Sequence, residues 1–347
     1  MRMPLAILLS IVACCHGAAG GTGGWERLPS IPDRDGFAGS FAGVSGGALL
    51  VGGGANFPGR KPWEGGAKAW YDTVFVLAQP RGQWKPAGRL PRPLGYGVSV
   101  THGGAVYCAG GSDATRHYAD AFRLDWQGGR LTVTELPPLP QPVASACGAT
   151  LGDVLYVAGG TGRPDATATL NTVYRLDLGA PRQGWQAVEP MPGGGRMLAT
   201  AAAVDGALYV IGGVDVAPDR AGKPQRRYLR DALRYDPRGG WRRVADLPYP
   251  LAAAPSPAPA DQHGFYVPGG DDGTQLATPP DQHHGFRRDI LRYDAGKDRW
   301  AVAGELPAAR VTTPCVIWNG AWVVPTGEDR PAVRSPEVWS RAPAPKE

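Results

Sequence analysis

The chain has 347 residues, with 36 Lys and Arg against 31 Asp and Glu, a formal net charge of +5. Its 51 Gly and 35 Pro would suit a disordered chain if they were unpatterned, but 43% of residues are hydrophobic and 11 are Trp, enough to bury a core. The charges form no Lys/Arg block or nucleic-acid module, and the longest apolar run, from Pro4 to Ala13, is too short for a bilayer. A nucleic-acid binder and a polytopic membrane protein are therefore excluded.

Residues 1–24 read as an export signal: Arg2, the apolar run, then small residues to Gly24. Ile11-Val12-Ala13-Cys14 resembles a bacterial lipobox, so two outcomes stand. Either Cys14 carries a lipid anchor in the periplasm, or cleavage near Ala18-Ala19 releases a periplasmic protein. Residues 25–347 then form a single domain. Its cysteines, Cys108, Cys147 and Cys315, are odd in number and widely spaced, each in an apolar strand-like segment. They read as buried thiols, not as a disulfide framework or a metal site.

A strand ending in a glycine pair recurs along the chain. It begins as Leu49-Leu50-Val51-Gly52-Gly53-Gly54 and Val106-Tyr107-Cys108-Ala109-Gly110-Gly111. The second glycines stand at 54, 111, 160, 213, 270 and 327, a spacing of 49 to 57 residues. After each comes a loop and a further strand, such as Asn171-Thr172-Val173-Tyr174-Arg175-Leu176-Asp177. Four of these strands lead to a Trp (84, 185, 241, 300) and a Leu-Pro or Met-Pro. Four short strands per fifty-residue unit with a double glycine is the kelch signature. The fold class is therefore all-β, a six-bladed kelch-type β-propeller. The last unit lacks a Trp-bearing fourth strand after its strands at about 311–317, 320–325 and 333–340. Trp25-Glu26-Arg27-Leu28-Pro29 supplies one, so the N-terminal strand completes the last blade and closes the ring.

The loops after the double glycines, 55–70, 112–118, 161–169, 214–229, 271–288 and 328–334, are expected to surround one mouth of the channel. They carry Asn56, Asp271, Glu328 and Arg334. Arg92, Arg196 and Arg310 each follow a Leu-Pro or Met-Pro and are expected at equivalent repeat positions, converging on the mouth to hold an anionic ligand. Capping of strand ends or bridging of blades is the alternative for each. His283-His284 reads as a solvated loop, because adjacent side chains on an extended chain diverge.

Gly53-Gly54-Ala55-Asn56-Phe57-Pro58, Tyr96-Gly97-Val98-Ser99 and Gly327-Glu328-Asp329-Arg330-Pro331-Ala332-Val333-Arg334 resemble segments of the bacterial kelch-type N-acetylneuraminate epimerases, in the order of the cyclically permuted mutarotase branch. One departure is Ala332, where that family usually has Gly. The resemblance implies interconversion of the α and β anomers of sialic acid or a related acidic sugar through the open-chain form. It implies Glu328 as acid/base, Arg334 as its partner on the sugar carboxylate, and weaker binding roles for Asn56, Arg92, Arg196, Asp271 and Arg310. It implies neither a metal nor an organic cofactor.

Two other readings use the same fold: a non-catalytic propeller binding a protein or glycan, and a carbohydrate oxidase or lyase. The sialidase Asp-box and the galactose-oxidase copper constellation are not found in the sequence. Whether the chain works as monomer or homodimer stays open.

Overall fold

The computed structural model describes residues 24–342. The expected export signal up to residue 23, with the lipid anchor expected at Cys14, lies outside these residues. No helix among the described residues is long and apolar enough to cross a membrane.

Five four-stranded antiparallel sheets and one three-stranded sheet form the six blades. Blade 1 runs outward through Phe41–Ser45, Ala48–Gly52, Thr73–Leu77 and Lys85–Arg89. Blade 6 combines Val316–Trp318, Ala321–Pro325 and Val338–Arg341 with Trp25–Leu28, which pairs antiparallel on its outer edge. The N-terminal strand thus closes the ring as expected. Blade 5 is the three-stranded sheet. Pro255, Pro257 and Pro259 occupy its innermost segment and remove ladder donors, so only fragments of pairing survive, such as the Tyr266 amide to the Pro259 carbonyl at 2.8 Å.

The core is divided into wedges between blades. Successive strand residues point to opposite faces, so Leu49 and Val51 pack towards blade 6 while Leu50 packs with Val106 and Phe122 of blade 2. Cys108, Cys147 and Cys315 are free and buried in three of these wedges. Outer-strand tryptophans tie the wedges together. The indoles of Trp84, Trp185, Trp241 and Trp300 donate to carbonyls of Pro29, Pro137, Glu189 and Ala245, each at the outer edge of the preceding blade. Trp25 repeats the contact from blade 6, donating to Glu305 at 3.1 Å.

A second closure surrounds the axis. Gly39, Tyr96, Ser145, Leu198, Ala253 and Thr312 each precede an inner strand and have φ between 52° and 67°. Each donates its amide to the carbonyl of the corresponding residue in the preceding blade, at 2.6–2.8 Å, and Gly39 completes the circuit on Thr312. These six bonds form a closed neck in the channel.

Two strand expectations change. The segment expected as one strand over 333–340 is split at Ser335-Pro336: Val333–Arg334 belongs to a separate hairpin, and only Val338–Arg341 joins blade 6. Three of the loops after the double glycines also carry short hairpins of their own: Ala55–Asn56 with Ala69–Trp70, Val214–Pro218 with Pro224–Tyr228, and Glu328–Arg330 with Val333–Arg334.

Candidate active site

One residue ahead of each neck residue, a backbone bridge reaches the residue just after the double glycine. The positions so placed are Ala55, Ser112, Thr161, Val214, Asp271 and Glu328. Five glycine-pair and neck segments position side chains that are small, neutral or aspartate; blade 6 alone offers a glutamate. The two carboxylates, Asp271 and Glu328, therefore stand at corresponding points of adjacent blades.

Glu328 opens the blade 6 hairpin and is the register partner of Arg334 across it. Opposed residues on a hairpin share a face, which is how a spacing of six brings the pair together. Arg334 Nη2 lies 2.8 Å from Glu328 Oε1, with the side chains 4% and 12% exposed. The Phe57 ring, from the blade 1 loop, sits 4.6 Å from the Arg334 Cζ. Nε and Nη1 of Arg334 are buried without a hydrogen-bond partner, leaving donor capacity in a site of low polarity.

Burial pushes the Glu328 carboxyl above the usual carboxylate range. Arg334, Lys68 and a backbone N–H at Ala332 pull it down, and Asp271 adds to the rise. Asp271 itself accepts the Tyr228 hydroxyl at 2.6 Å and the Gly273 amide at 2.9 Å. The tyrosine hydroxyl is pushed up by burial and by that carboxylate.

Lys68 was not singled out in the sequence, since no repeat position marks it. Its Nζ lies 4.2 Å from the Tyr96 ring centroid and 4.7 Å from that of Trp70. Tyr96 is a neck residue, so the ammonium lies near the neck, and its charge acts on Glu328.

The other expected site residues are placed differently. Asn56 is 1% exposed; its amide donates to Asp33 and Gly36 and accepts from Tyr71, so its hydrogen-bonding groups are engaged by the blade 1 lead-in. The three arginines do not occupy equivalent positions. Arg196 and Arg310 stand two residues ahead of their neck residues, where the other blades have Phe37, Leu94, Val143 and Leu251. Both are 1% exposed. Arg196 binds Asp231 at 2.8 Å and the Gly212 carbonyl at 3.0 Å. Arg310 binds Asp329, Ser335 and Glu337. Arg92 lies two residues further from the neck, paired with Asp120 at 2.8 Å and stacked over Tyr118. His283 is also not solvated: it is 5% exposed, accepts the Gly285 amide at 3.0 Å and packs on Phe286.

Fold and site together define a six-bladed kelch-type propeller with a buried carboxylate–guanidinium pair at one mouth of its channel. The N-acetylneuraminate epimerase family matches this chain over residues 21–133 and 136–277, and the chain belongs to that family. Glu328 and Arg334 lie beyond the matched residues. N-acetylneuraminate epimerases of Salmonella enteritidis and Salmonella typhi are 45% identical to it over 101 residues, 26% of this chain and 26% of theirs. The Yersinia enterocolitica protein of the same name is 38% identical over 125 residues, 31% of each chain. These alignments thus span about a quarter to a third of the relatives' length.

Proposed function

We propose that this protein is a mutarotase that interconverts the α and β anomers of N-acetylneuraminate or a related acidic sugar, acting as an exported periplasmic enzyme. The observation that carries the reading is the Glu328–Arg334 pair, a carboxyl raised by burial beside a guanidinium with unused donors. Family membership supports the same chemistry.

In this reading the Glu328 carboxylate takes the proton of the anomeric hydroxyl. The bond from the anomeric carbon to the ring oxygen breaks, and the ring oxygen receives a proton, giving the open-chain keto acid. Rotation next to the new carbonyl presents its other face to the same hydroxyl. Reclosure returns the proton to the anomeric oxygen and leaves the carboxylate as it began. One carboxyl can serve both transfers in turn, because one proton is removed and one delivered in each direction. Its raised affinity for protons brings it nearer to the balance such shuttling needs.

The test is exchange NMR on the anomers of N-acetylneuraminate, with the purified 25–347 protein and its Glu328→Gln variant. Acceleration by the wild type that is lost in the variant supports the reading. Absence of acceleration at high protein concentration removes it, and binding without turnover would then make the propeller a glycan-binding protein.

A further inference from the structure

The blade 1 loop brings a second cation to the mouth, and its surroundings differ from those of Arg334. Arg334 is committed to Glu328 through Nη2 and covered by Phe57. Lys68 comes from the returning side of the Ala55–Asn56/Ala69–Trp70 hairpin and rests between the faces of Trp70 and Tyr96. Lys61 and Lys297 are the ion-paired lysines among the described residues, and Lys68 is not one of them. Cation–π contacts hold an ammonium in place, yet they leave its N–H donors free for an anion. Arg334 pairs with Glu328, and the charges of Lys68 and, from blade 5, Asp271 act on it as well.

The geometry points to Lys68 as the residue that selects an anionic sugar, receiving the substrate carboxylate while Arg334 sets the state of Glu328. This deepens the mutarotase reading and rests on it for the reaction, though not for the binding preference. The aromatic walls matter for a physical reason. A lysine on a flexible stem would lose side-chain entropy on capturing a ligand, and Trp70 with Tyr96 restrain it beforehand. An ester of the same sugar has the same shape without the charge, so it separates charge recognition from fit.

The experiment compares N-acetylneuraminate with its methyl ester, using the wild type, Lys68→Met and Lys68→Arg. Anomer exchange gives turnover, and ligand-observed NMR titration gives binding independently. Lys68→Met is expected to lower kcat/KM for the acid by about tenfold or more, mainly through KM, with the ester within about twofold of wild type. Lys68→Arg restores most of the preference for the acid. The acid limb of the pH–rate profile moves to higher pH in Lys68→Met, because a charge that favours the Glu328 carboxylate is gone.

Equal losses for acid and ester in Lys68→Met would overturn the assignment and leave Lys68 a brace of the loop. No loss for either ligand in Lys68→Met, with the preference for the acid intact, would overturn it in favour of Arg334 as the anchor. Failure of the parent reading looks different. A wild type that binds the acid in preference to the ester, loses that preference in Lys68→Met, and yet accelerates no exchange keeps the Lys68 assignment while removing the mutarotase. A wild type that binds both equally, or neither, overturns the Lys68 assignment.

Discussion

The Gly39 amide donates to the Thr312 carbonyl at 2.6 Å, joining the lead-in of the first blade to that of the last. The bond completes the neck beneath the site, and it needs a backbone with φ of 67° at Gly39. A Cβ there would lie 2.8 Å from the Tyr96 ring and its amide nitrogen. Gly39→Ala should therefore destabilise the fold by about 1–3 kcal/mol, read as a lower urea midpoint. Unchanged stability would mean that the neck closes without this residue's conformation.

Arg196 and Arg310 should matter for stability and not for substrate affinity. Each fills a position that is apolar in the other blades and pairs with carboxylates. Replacing either by Leu leaves those carboxylates without their buried partner. The cost should be about 2–4 kcal/mol, below the value for a fully buried pair because Asp231, Glu337 and Asp329 are 20%, 26% and 42% exposed. Thermal melts should fall while KM stays within about twofold of wild type. A raised KM at unchanged melting temperature would return these arginines to the site.

The Glu328 carboxyl gives a pH signature in two measurements. Its folded pKa lies above the ordinary value of 4.5, so the protonated form is the one that folding favours. The stability this group contributes is full below the ordinary value and is lost as pH rises through the folded one. Turnover that uses the carboxylate as base falls in the opposite direction, as pH drops through the same folded value. Both midpoints should coincide and sit above 4.5, and both should vanish in Glu328→Gln. Midpoints at separate pH values would assign the activity limb to another group.

Ala332 marks the turn between Glu328 and Arg334 and has φ of 64°. That left-handed conformation disfavours a Cβ, so glycine would take it at lower cost. Ala332→Gly should raise stability by about 1 kcal/mol and keep the 2.8 Å pair and the activity intact. A fall in exchange rate would show that the strained turn holds Glu328 at its working angle.

Much of the fold could be read from the chain alone because its demands are local. Double glycines mark where each blade must turn through backbone angles closed to other residues, and their spacing counts the blades. Trp25 revealed the closing strand because it supplied the outer tryptophan missing from the last unit, and its indole bond to Glu305 repeats that of the other blades. Glu328 and Arg334 were singled out through the family resemblance, and the hairpin that makes them neighbours came from the structure. The expected equivalence of the three arginines did not hold because a residue's distance from a Leu-Pro does not say which way it faces. Arg196 sits where Leu94 sits in another blade, and only the neck residues reveal that alignment.

The sequence by itself therefore determined the number of blades and the closing strand, both set by backbone conformation and short-range spacing. The tertiary structure alone decided which charges meet at the mouth. The charge of Lys68 of blade 1 acts on Glu328 of blade 6 because ring closure makes the first and last blades neighbours. Asp231, Asp329 and Glu337 hold two arginines in place of an apolar side chain, so those charges stabilise the blades. Such pairings depend on how wedges pack around an axis, and no local pattern along the chain encodes that distance.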